Sequence, residues 1–482
     1  MHFSDTYLPR RDGVITSIRT LTSALAEQGH PGMTIVPRHP DQTVEDGLLT
    51  LRALPCGVAN LRLSPWLLRE TGASGVLDEI AAFAPDIVHV HTPGPVGLLG
   101  VVAARKLGLP VVHTYHTDLH AYADAYRIPV SALNALTRLY ARRLGVPVPW
   151  SHTVAVTGPR AVRYARRAAA RTRIVAGRAA SGAASVAGRA ASVARRAAGR
   201  RPAPIGSFSS LGALAPEQVI SNRHAAVDGY NRLLLGDADA VIVPTRAALN
   251  RITLPVPDER IFLVPTGVAA RPTTAAAVAE FRAEHGIADS DRVLLFVGRV
   301  NREKGVDLLI ESFSTIVARC PKARLVLVGA TFDRRWLTGL LEAIGPEAAA
   351  RVTVVGEQPS HVVAAAYGAA EVFVFPSLSD TQALVLQEAA LAHVPAVMCD
   401  EVLHAQGPLG GAARLASPDP AGFADAVLAL LADPAEARRI GAAAAGQAAR
   451  HTPAAYAETM CEVYSFAGAA AGRLNDRGRT RR

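Results

Sequence analysis

Short apolar segments alternate with amphipathic, helix-length segments along most of the 482-residue chain. The apolar segments include DIVHVHT at 86–92, PVVHTYHTD at 110–118, RVLLFVGR at 292–299 and EVFVFPS at 371–377. Near-continuous Val, Ile and Leu content is typical of parallel strands that helices cover on both faces. Because the strands are too many for one sheet of ordinary size, we predict an α/β protein with two doubly wound domains.

The join between the domains is predicted in PTGVAARPTTAAA at 265–277, which is rich in Pro, Thr, Gly and Ala and follows a strand. We therefore expect an N-terminal domain at 1–267 and a C-terminal domain at 275–470. The first strand has only MHF before its loop. A native start a few residues upstream is one hypothesis, and mass spectrometry of the native N-terminus tests it.

The net charge of +10 is concentrated in two segments. Residues 160–201 contain twelve arginines and no Asp, Glu or Lys, and the last ten residues contain five arginines and one aspartate. Removing their +12 and +4 from +10 leaves −6 for the remainder of the chain. Basic residues are thus not spread over the domains, which argues against nucleic acid as a partner.

The segment at 160–216 interrupts the alternation of strands and helices with a low-complexity run of Arg, Ala, Gly and Ser. Its scarcity of large apolar residues predicts a disordered or loosely helical insertion. The alternative is that 160–201 contacts an anionic membrane, at roughly 1 kcal/mol per arginine near the surface. The basic residues at 471–482 predict a disordered tail.

The cysteines and the hydropathy pattern predict a cytoplasmic protein. The four cysteines, Cys56, Cys320, Cys399 and Cys461, lack metal-ligand or redox spacing, so we expect reduced thiols. No apolar run reaches the ~18–20 residues that a membrane span needs. The start of the chain also lacks the apolar centre of a signal peptide. Peripheral contact with the inner face of the membrane remains the open alternative.

Two cations follow a predicted strand in FVGRVNREKG at 296–305. Arg299 leaves the strand end, and Lys304 lies near the start of the next helix. Ligands of doubly wound domains bind beyond the carboxyl ends of the strands, close to helix N-termini. Two cations in that position suit a diphosphate. From spacing alone, two solvated surface charges are an equally good interpretation.

Two carboxylates follow a later strand, in PSLSDTQALVLQEAALA at 376–392. Ser379 and Gln382 fit a capping box, which predicts a helix with Asp380 at its start and Glu388 a little over two turns along. Carboxylates beside a diphosphate are suited to sugar or ribose hydroxyl groups rather than to phosphate. For Glu388 the alternative is a solvated helix charge, although its neighbours in sequence are apolar.

A histidine-rich stretch, HTYHTDL at 113–119, ends a strand of the N-terminal domain. It places His116 and Asp118 where ligands bind, although a lone histidine there is more often structural. Because His89, His91 and His113 are also close in sequence, a metal site has to be considered. No carboxylate or cysteine completes a recognisable ligand set, so we predict no metal.

The order of these motifs resembles that of the retaining glycosyltransferases of family four, which have the GT-B fold. The motifs are DTYLPRRDGV, DIVHVHTP, HTYHTD, DAVIVPT, VPTGV, FVGRVNREKGVDLLIESF and FPSLSDTQALVLQEA. The resemblance covers most of the chain apart from 160–216 and the tail. It is nearest to the subgroup of lipid glycosyltransferases and GDP-mannose-dependent mannosyltransferases.

The resemblance implies two Rossmann-like domains that face a central cleft, with the acceptor on the N-terminal side and the nucleotide sugar on the C-terminal side. It implies transfer of mannose or glucose from GDP-mannose or UDP-glucose to a hydroxyl group of a lipid or small-molecule acceptor, without a metal or other cofactor. The alternatives are a GT-B sugar-nucleotide epimerase and a weakened or non-catalytic partner protein.

The resemblance also implies a role for individual residues. Arg299 and Lys304 match the cations on the donor diphosphate, and Glu388 matches the acid that holds the ribose. Asp380 and His116 match residues at the donor sugar and the reacting centre. Gly13 matches the glycine of the N-terminal-domain loop that closes on the donor diphosphate.

The chain departs from the family pattern next to these residues. Asp380 is one methylene shorter than the usual glutamate, which shortens its reach to a hydroxyl group. Gln382 stands where the family usually has an aromatic or small residue, and Ala383 stands where it usually has a glycine. These changes predict an altered donor choice or a weaker enzyme.

Overall fold

The computed structural model describes residues 1–43, 45–55, 62–64, 74–125, 128–147 and 216–479. These residues form one seven-stranded and one six-stranded parallel sheet, together with a two-stranded antiparallel pair. Helices pack on both faces of each large sheet, so the predicted α/β class with two doubly wound sheets is confirmed. The predicted insertion lies outside the described residues, except for its last residue.

The first sheet is built from the N-terminal part of the chain. Its strands are β1 (His2–Phe3), β2 (Thr34–Pro37), β3 (Leu48–Leu51), β6 (Val88–Val90), β7 (Val111–Thr114), β8 (Ala240–Val243) and β9 (Ile261–Leu263), while β4 (Leu54–Pro55) and β5 (Arg62–Leu63) form the antiparallel pair. The intervening helices are α1 (Gly13–Glu27), α2 (Ser74–Phe83), α3 (Pro95–Leu107), α4 (Leu119–Ala125), α5 (Val130–Leu144), α6 (Pro216–Leu235) and α7 (Arg246–Leu249). The strand order is β3-β2-β1-β6-β7-β8-β9.

A short 3-10 helix at Asp258–Arg260 precedes β9, and the second sheet follows the connecting segment after β9. Its strands are β10 (Arg292–Val297), β11 (Ala323–Val328), β12 (Val352–Gly356), β13 (Val372–Phe375), β14 (Ala396–Met398) and β15 (Arg414–Leu415). The helices are α8 (Ala275–Glu284), α9 (Val306–Arg319), α10 (Arg334–Ala343), α11 (Pro346–Ala349), α12 (Ser360–Ala369), α13 (Leu384–Leu391), α14 (Glu401–Gln406), α15 (Pro420–Ala432), α16 (Pro434–Ala448) and α17 (Pro453–Arg479). The strand order is β12-β11-β10-β13-β14-β15.

Strand β10 shows why these strands lack polar alternation. Leu294 and Phe296 point into the hydrophobic cluster on one face of the sheet, whereas Val293 and Leu295 belong to the cluster on the other face. All four side chains are buried. A strand that is covered on both faces must be apolar at every position, which matches the sequence pattern.

The strand order of each sheet reverses once, between β1 and β6 in the first sheet and between β10 and β13 in the second. A crevice opens beyond the carboxyl ends of the strands at such a reversal. Arg299 and Lys304 lie between β10 and α9, and Asp380 lies between β13 and α13. Gly13 begins α1, the helix after β1, and His116 follows β7. The topology therefore places these five residues at the two crevices.

The last helix, α17, returns to the first sheet. Its buried residues share one face and pack with α1, β7 and β8; they are Tyr456, Ala457, Met460, Val463 and Ala467. Residues 453–470, expected in the C-terminal domain, thus pack against the first sheet because of this apolar face. The backbone of 471–479, part of the segment expected to be a disordered tail, continues this helix. Among the described helices, none is long and apolar enough to cross a bilayer.

Candidate functional site

The loop after β10 turns back toward the loop after β13. The Asn301 side chain accepts a 3.1 Å hydrogen bond from the backbone N–H of Lys304, which closes a 3-10 turn at Arg302–Lys304. Gly305 follows with a φ of +71°, and a Cβ there would lie 2.8 Å from the carbonyl oxygen of Pro376. The glycine therefore allows the two loops to touch and brings Lys304 to the β13 loop.

Lys304 forms an ion pair with Asp380, with 2.6 Å between Nζ and Oδ1. The hydroxyl of Ser377 donates a second hydrogen bond to the same carboxylate. Burial raises the pKa of Asp380, but the Lys304 ammonium and these two hydrogen bonds outweigh burial and leave that pKa below its ordinary value. At neutral pH the site therefore contains an ionised carboxylate next to an ammonium group.

Arg299 lies beside Lys304, and Glu303 lies between the two cations. Arg299 Nη2 is 3.1 Å from Glu303 Oε2, and Lys304 Nζ is 3.9 Å from Glu303 Oε1. The side chains of Arg299 and Lys304 are only 22% and 14% exposed. The alternative of two solvated surface charges is therefore disfavoured, because both cations are held by carboxylates in a partly buried position.

The helix that carries Glu388 begins later than the sequence predicts. The predicted capping box is wrong: α13 begins at Leu384, and the Ser379 hydroxyl donates instead to the backbone oxygen of Glu303. Ala383 precedes the helix with a φ of +60°, in the left-handed region that favours glycine. The loop thus stays non-helical through Gln382, and Glu388 lies one turn into α13 rather than two.

Glu388 is held by two side chains from other elements. Its Oε1 lies 3.0 Å from Nη2 of Arg271, and its Oε2 accepts a 3.1 Å hydrogen bond from the hydroxyl of Tyr367. Burial raises the pKa of Glu388, and Arg271 and Tyr367 offset this rise only in part. Because the side chain is 10% exposed, Glu388 is not a solvated helix charge.

The start of α1 faces the start of α13. Asp12 caps α1, and its Oδ1 accepts a 3.0 Å hydrogen bond from the backbone N–H of Ile15. A Cβ on Gly13 would lie 3.7 Å from Cδ1 of Leu384. The positive ends of two helix dipoles, one from each half of the molecule, therefore meet at the same point.

His116 lies after β7, next to the β13 loop. The hydroxyl of Thr381 donates a 2.8 Å hydrogen bond to the backbone oxygen of His116, which brings His116 close to Asp380. Burial lowers the pKa of His116 to about 4, so its imidazole is neutral at pH 7. Asp118, in contrast, caps α4 by accepting hydrogen bonds from the backbone N–H groups at 120 and 121.

The sequence analysis missed side chains that join the two sheets beside the site. Arg251 donates a 2.9 Å hydrogen bond to the backbone oxygen of Asp380 and forms an ion pair with Asp400. Gln382 exchanges two 2.9 Å hydrogen bonds with the backbone of Thr266. The unusual polar residue at 382 was the available signal, but its partner could not be read from the sequence.

Behind His116 lies a buried histidine cluster of His2, His89 and His91, whose ring nitrogens lie within 4.8 Å of one another. The sequence places His113 near His89 and His91, but the cluster in the structure contains His2 instead of His113. His91 is hydrogen-bonded to His2 and His116, and both nitrogens of His89 are bonded to hydroxyl groups. Three histidines are a set of ligands that zinc accepts, but these bonds already engage both nitrogens of His89 and of His91, so a metal ion would have to displace at least two of them.

Two family profiles match the chain, one for each sheet. The profile described as "Glycosyltransferase Family 4" matches residues 11–177, and the profile described as "Glycosyl transferases group 1" matches residues 291–433. The first range includes Gly13 and His116, and the second includes Lys304, Asp380 and Glu388. The two matches therefore contain both faces of the candidate site.

Individual proteins agree with these profiles. The chain is 24% identical over 403 residues to an alpha-monoglucosyldiacylglycerol synthase from Streptococcus pneumoniae, over 82% of this chain and 69% of the relative. It is 30% identical over 185 residues to a GDP-mannose-dependent alpha-mannosyltransferase from Mycobacterium tuberculosis, over 34% of this chain and 46% of the relative.

A solved structure supports the fold. The Anabaena protein HepE in complex with UDP and glucose is similar with a TM-score of 0.61 at 13% identity, over 96% of this chain and 98% of that chain. At such identity the likeness concerns the fold, and the family follows from the two profiles. The chain belongs to the family-four glycosyltransferases, enzymes with the GT-B fold that transfer a sugar from a nucleotide sugar.

Proposed function

We propose that this enzyme transfers a hexose, mannose or glucose, from GDP-mannose or UDP-glucose to a hydroxyl group of a lipid or glycolipid, with retention of the anomeric configuration. The observation that carries the proposal is the Lys304–Asp380 ion pair, which lies at the strand-order reversal of the second sheet. The lipid acceptor is supported by similarity to a diacylglycerol glycoside synthase. A small-molecule hydroxyl group is the alternative acceptor.

Lys304 and Arg299 bind the diphosphate of the donor. An ammonium group has three N–H donors, so the bond to Asp380 leaves Lys304 two donors for phosphate oxygens. Asp380 in turn accepts from Lys304 and Ser377 and retains acceptor positions for sugar hydroxyl groups. The N-termini of α1 at Gly13 and of α13 add partial positive charge.

Glu388 binds the ribose of the donor. Its carboxylate accepts hydrogen bonds from the ribose hydroxyl groups. These bonds replace those to Arg271 and Tyr367 or are added to them. Burial leaves this carboxylate poorly solvated and raises its pKa, so a hydroxyl donor there replaces missing water.

The transfer reaction creates charge at two points. The leaving diphosphate gains negative charge, which Lys304, Arg299 and the helix N-termini stabilise. The sugar becomes oxocarbenium-like, and a neutral His116 forms a hydrogen bond there without adding a competing positive charge. The acceptor attacks from the face of the leaving group, whose phosphate takes the acceptor proton, so no side chain forms a covalent intermediate.

The acceptor approaches from the first sheet, and the arginine-rich residues 160–201 contact anionic lipid headgroups. This part of the proposal rests on charge alone, because the segment carries twelve arginines and no acidic residue. It places the enzyme at the cytoplasmic surface of a membrane.

The first experiment is a thermal-shift screen of UDP- and GDP-sugars. A donor at 100 times its Kd stabilises the native state by about 2.7 kcal/mol, so one donor is expected to raise the melting temperature. The absence of a shift with every UDP- and GDP-sugar would overturn the donor assignment.

The second experiment incubates that donor with diacylglycerol in mixed micelles, with a soluble polyol, and with no acceptor. A glycolipid with the donor's anomeric configuration is the expected product. Product from the polyol alone would reject the lipid acceptor. Conversion of the donor to another nucleotide sugar without acceptor would identify an epimerase, and no conversion would identify a non-catalytic binding protein.

A further inference from the structure

We infer that His91 and His2 are positioning residues that fix the tautomer and orientation of His116 at the reacting sugar. The inference rests on the proposed role of His116 and extends it to two buried residues, His91 and His2. It concerns a continuous chain of three imidazole rings, which we call the histidine chain: His116, His91 and His2.

The histidine chain is connected at both of its links by ring nitrogens. His91 Nδ1 lies 3.1 Å from His116 Nε2, and His91 Nε2 lies 3.0 Å from His2 Nδ1. Neighbouring rings are stacked, with interplanar angles of 22° and 28°. His2 lies in β1, His91 directly follows β6, and His116 follows β7, so three adjacent parallel strands hold the chain.

A neutral imidazole carries one N–H, so each link needs one donor and one acceptor. If His91 Nδ1 donates to His116 Nε2, the proton of His116 lies on Nδ1; if His91 Nδ1 accepts, that proton lies on Nε2. The same choice fixes the tautomer of His2. The three rings therefore share one direction of hydrogen bonding, and a reversal at one ring breaks the chain.

The free end of the histidine chain is His116, whose backbone oxygen is bonded to Thr381 of the β13 loop. His116 is partly exposed, and its Nδ1 makes no hydrogen bond with the other described residues. Whether Nδ1 donates to or accepts from a sugar oxygen is thus decided by His91 and, through His91, by His2. Packing alone would orient the ring of His116 but would not select between its tautomers.

The surroundings keep the histidine chain neutral. Burial, with neighbouring positive groups, lowers the pKa of His2 and His91 well below the ordinary value, and burial lowers the pKa of His116 to about 4. The other titratable groups around it are His89, His113, the Met1 amine and the Tyr464 hydroxyl. Burial lowers the pKa of the amine to about 6, so none of these groups favours protonation of the chain near pH 7.

The test is a matched pair of substitutions at His91. The amide of asparagine reaches approximately the position of Nδ1, and the amide of glutamine reaches that of Nε2. His91→Asn therefore keeps the link to His116, whereas His91→Gln keeps the link to His2 and loses the one to His116. His91→Leu removes both links at similar volume.

The first readout is the tautomer of His116, measured by long-range ¹H–¹⁵N NMR of the full chain without substrate. Wild type is expected to show one tautomer of His116, and His91→Gln and His91→Leu are expected to show an average of two. One unchanged tautomer of His116 in both variants would overturn the inference. Because this readout needs no turnover, it stands even if the proposed reaction is wrong.

The second readout is kinetic and uses the donor identified by thermal shift. His91→Gln is expected to lower kcat about tenfold, the equivalent of one hydrogen bond, with the KM for the donor within about twofold of wild type. His91→Asn, which keeps the link to His116 but loses the one to His2, is expected to give a kcat between those of His91→Gln and wild type. Equal kcat in wild type and His91→Gln would overturn the inference, whereas an unaffected His116→Ala would reject only the proposed role of His116.

A second pair of substitutions, at His2, keeps the inference testable if the His91 variants do not fold. His2→Asn keeps the link from Nδ1 to His91, and His2→Gln loses it. The inference predicts that only His2→Gln mixes the tautomers of His116. Identical spectra of His116 in the two His2 variants would contradict it.

Discussion

The two faces of the cleft differ in charge. On the C-terminal face, Arg299, Glu303, Lys304 and Asp380 alternate in sign, with each ion pair within 4 Å. On the N-terminal face, His116 is a neutral ring backed by buried neutral rings. The difference is consistent with the proposed roles, in which the charged face binds the leaving diphosphate and the neutral face contacts the sugar that becomes positively charged.

The two acids of the C-terminal face differ in the same way. Asp380 has a lowered pKa because Lys304 and Ser377 outweigh its burial, whereas burial raises the pKa of Glu388. The fold thus favours the ionised form of Asp380, whereas burial favours the protonated form of Glu388, eight residues later. Asp380 is therefore held in place before the donor binds, whereas Glu388 gains a further hydrogen-bond partner if the ribose binds there as proposed.

The largest effect is expected from removing charge on the C-terminal face. Lys304→Ala is expected to lower kcat about a hundredfold or more, because in the proposed mechanism Lys304 stabilises charge that develops on the leaving group. Arg299→Ala is expected to act in the same direction. Steady-state kinetics measure both effects.

The matched control is Arg319→Ala, which removes the same charge from the exposed end of α9, where Arg319 pairs with Asp425. It is expected to leave kcat unchanged. Equal kinetics in Lys304→Ala and Arg319→Ala would remove the contrast between the two faces.

The next effect separates the two acids by stability. Asp380→Asn is expected to lower the free energy of unfolding by about 2 kcal/mol at pH 7, because Lys304 loses its partner in a partly buried site. Glu388→Gln is expected to change it by less than about 1 kcal/mol, because it also removes an unfavourably buried charge. Urea denaturation measures both values.

The pH dependence gives the sign of each contribution. The folded pKa of Asp380 is lowered, so its stabilisation is present above the ordinary Asp pKa and is lost as pH falls through the folded value. The folded pKa of Glu388 is raised, so its contribution is present below the ordinary Glu pKa and is lost as pH rises through the folded value. The loss in free energy of unfolding caused by Asp380→Asn should therefore be smaller at acid pH. A deficit that is constant with pH would contradict the assignment.

A smaller effect tests how the two faces are joined. Gln382→Ala is expected to lower the free energy of unfolding by about 1.5 kcal/mol, because the buried backbone N–H and C=O of Thr266 lose their partners. Gln406→Ala removes an exposed contact between the same two halves, to Asn250, and is expected to cost less than about 0.5 kcal/mol. If both variants have the same stability, Gln382 does not join the two halves.

The smallest effect concerns the residue that delays α13. Ala383→Gly is expected to stabilise the protein by up to about 1 kcal/mol, because glycine adopts the positive φ without strain. Ala443→Gly, on the exposed side of α16, should instead destabilise it by about 1 kcal/mol. Thermal melts compare them. Destabilisation of the same size in both would show that Ala383 is not strained.

Much of the fold and of the site position could be predicted from the sequence. The run RVLLFV predicts β10, and the cations after it predict an anion site at the strand end, where the structure places Arg299 and Lys304. The start of α13 could not be predicted, because Gln382 bonds to Thr266, 116 residues away. The packing of α17 on the first sheet likewise depends on a surface formed by distant strands.

By itself, the sequence determined the two doubly wound sheets and the segments that carry the site, because hydrophobic periodicity and strand-end position are local properties of the chain. Only the tertiary structure decided which side chains form ion pairs and hydrogen bonds with one another. Lys304 pairs with Asp380 across 76 residues, and His91 lies between His2 and His116 from two other strands. Side-chain partners depend on which strands lie next to one another, and that order is set by the packing of the whole sheet.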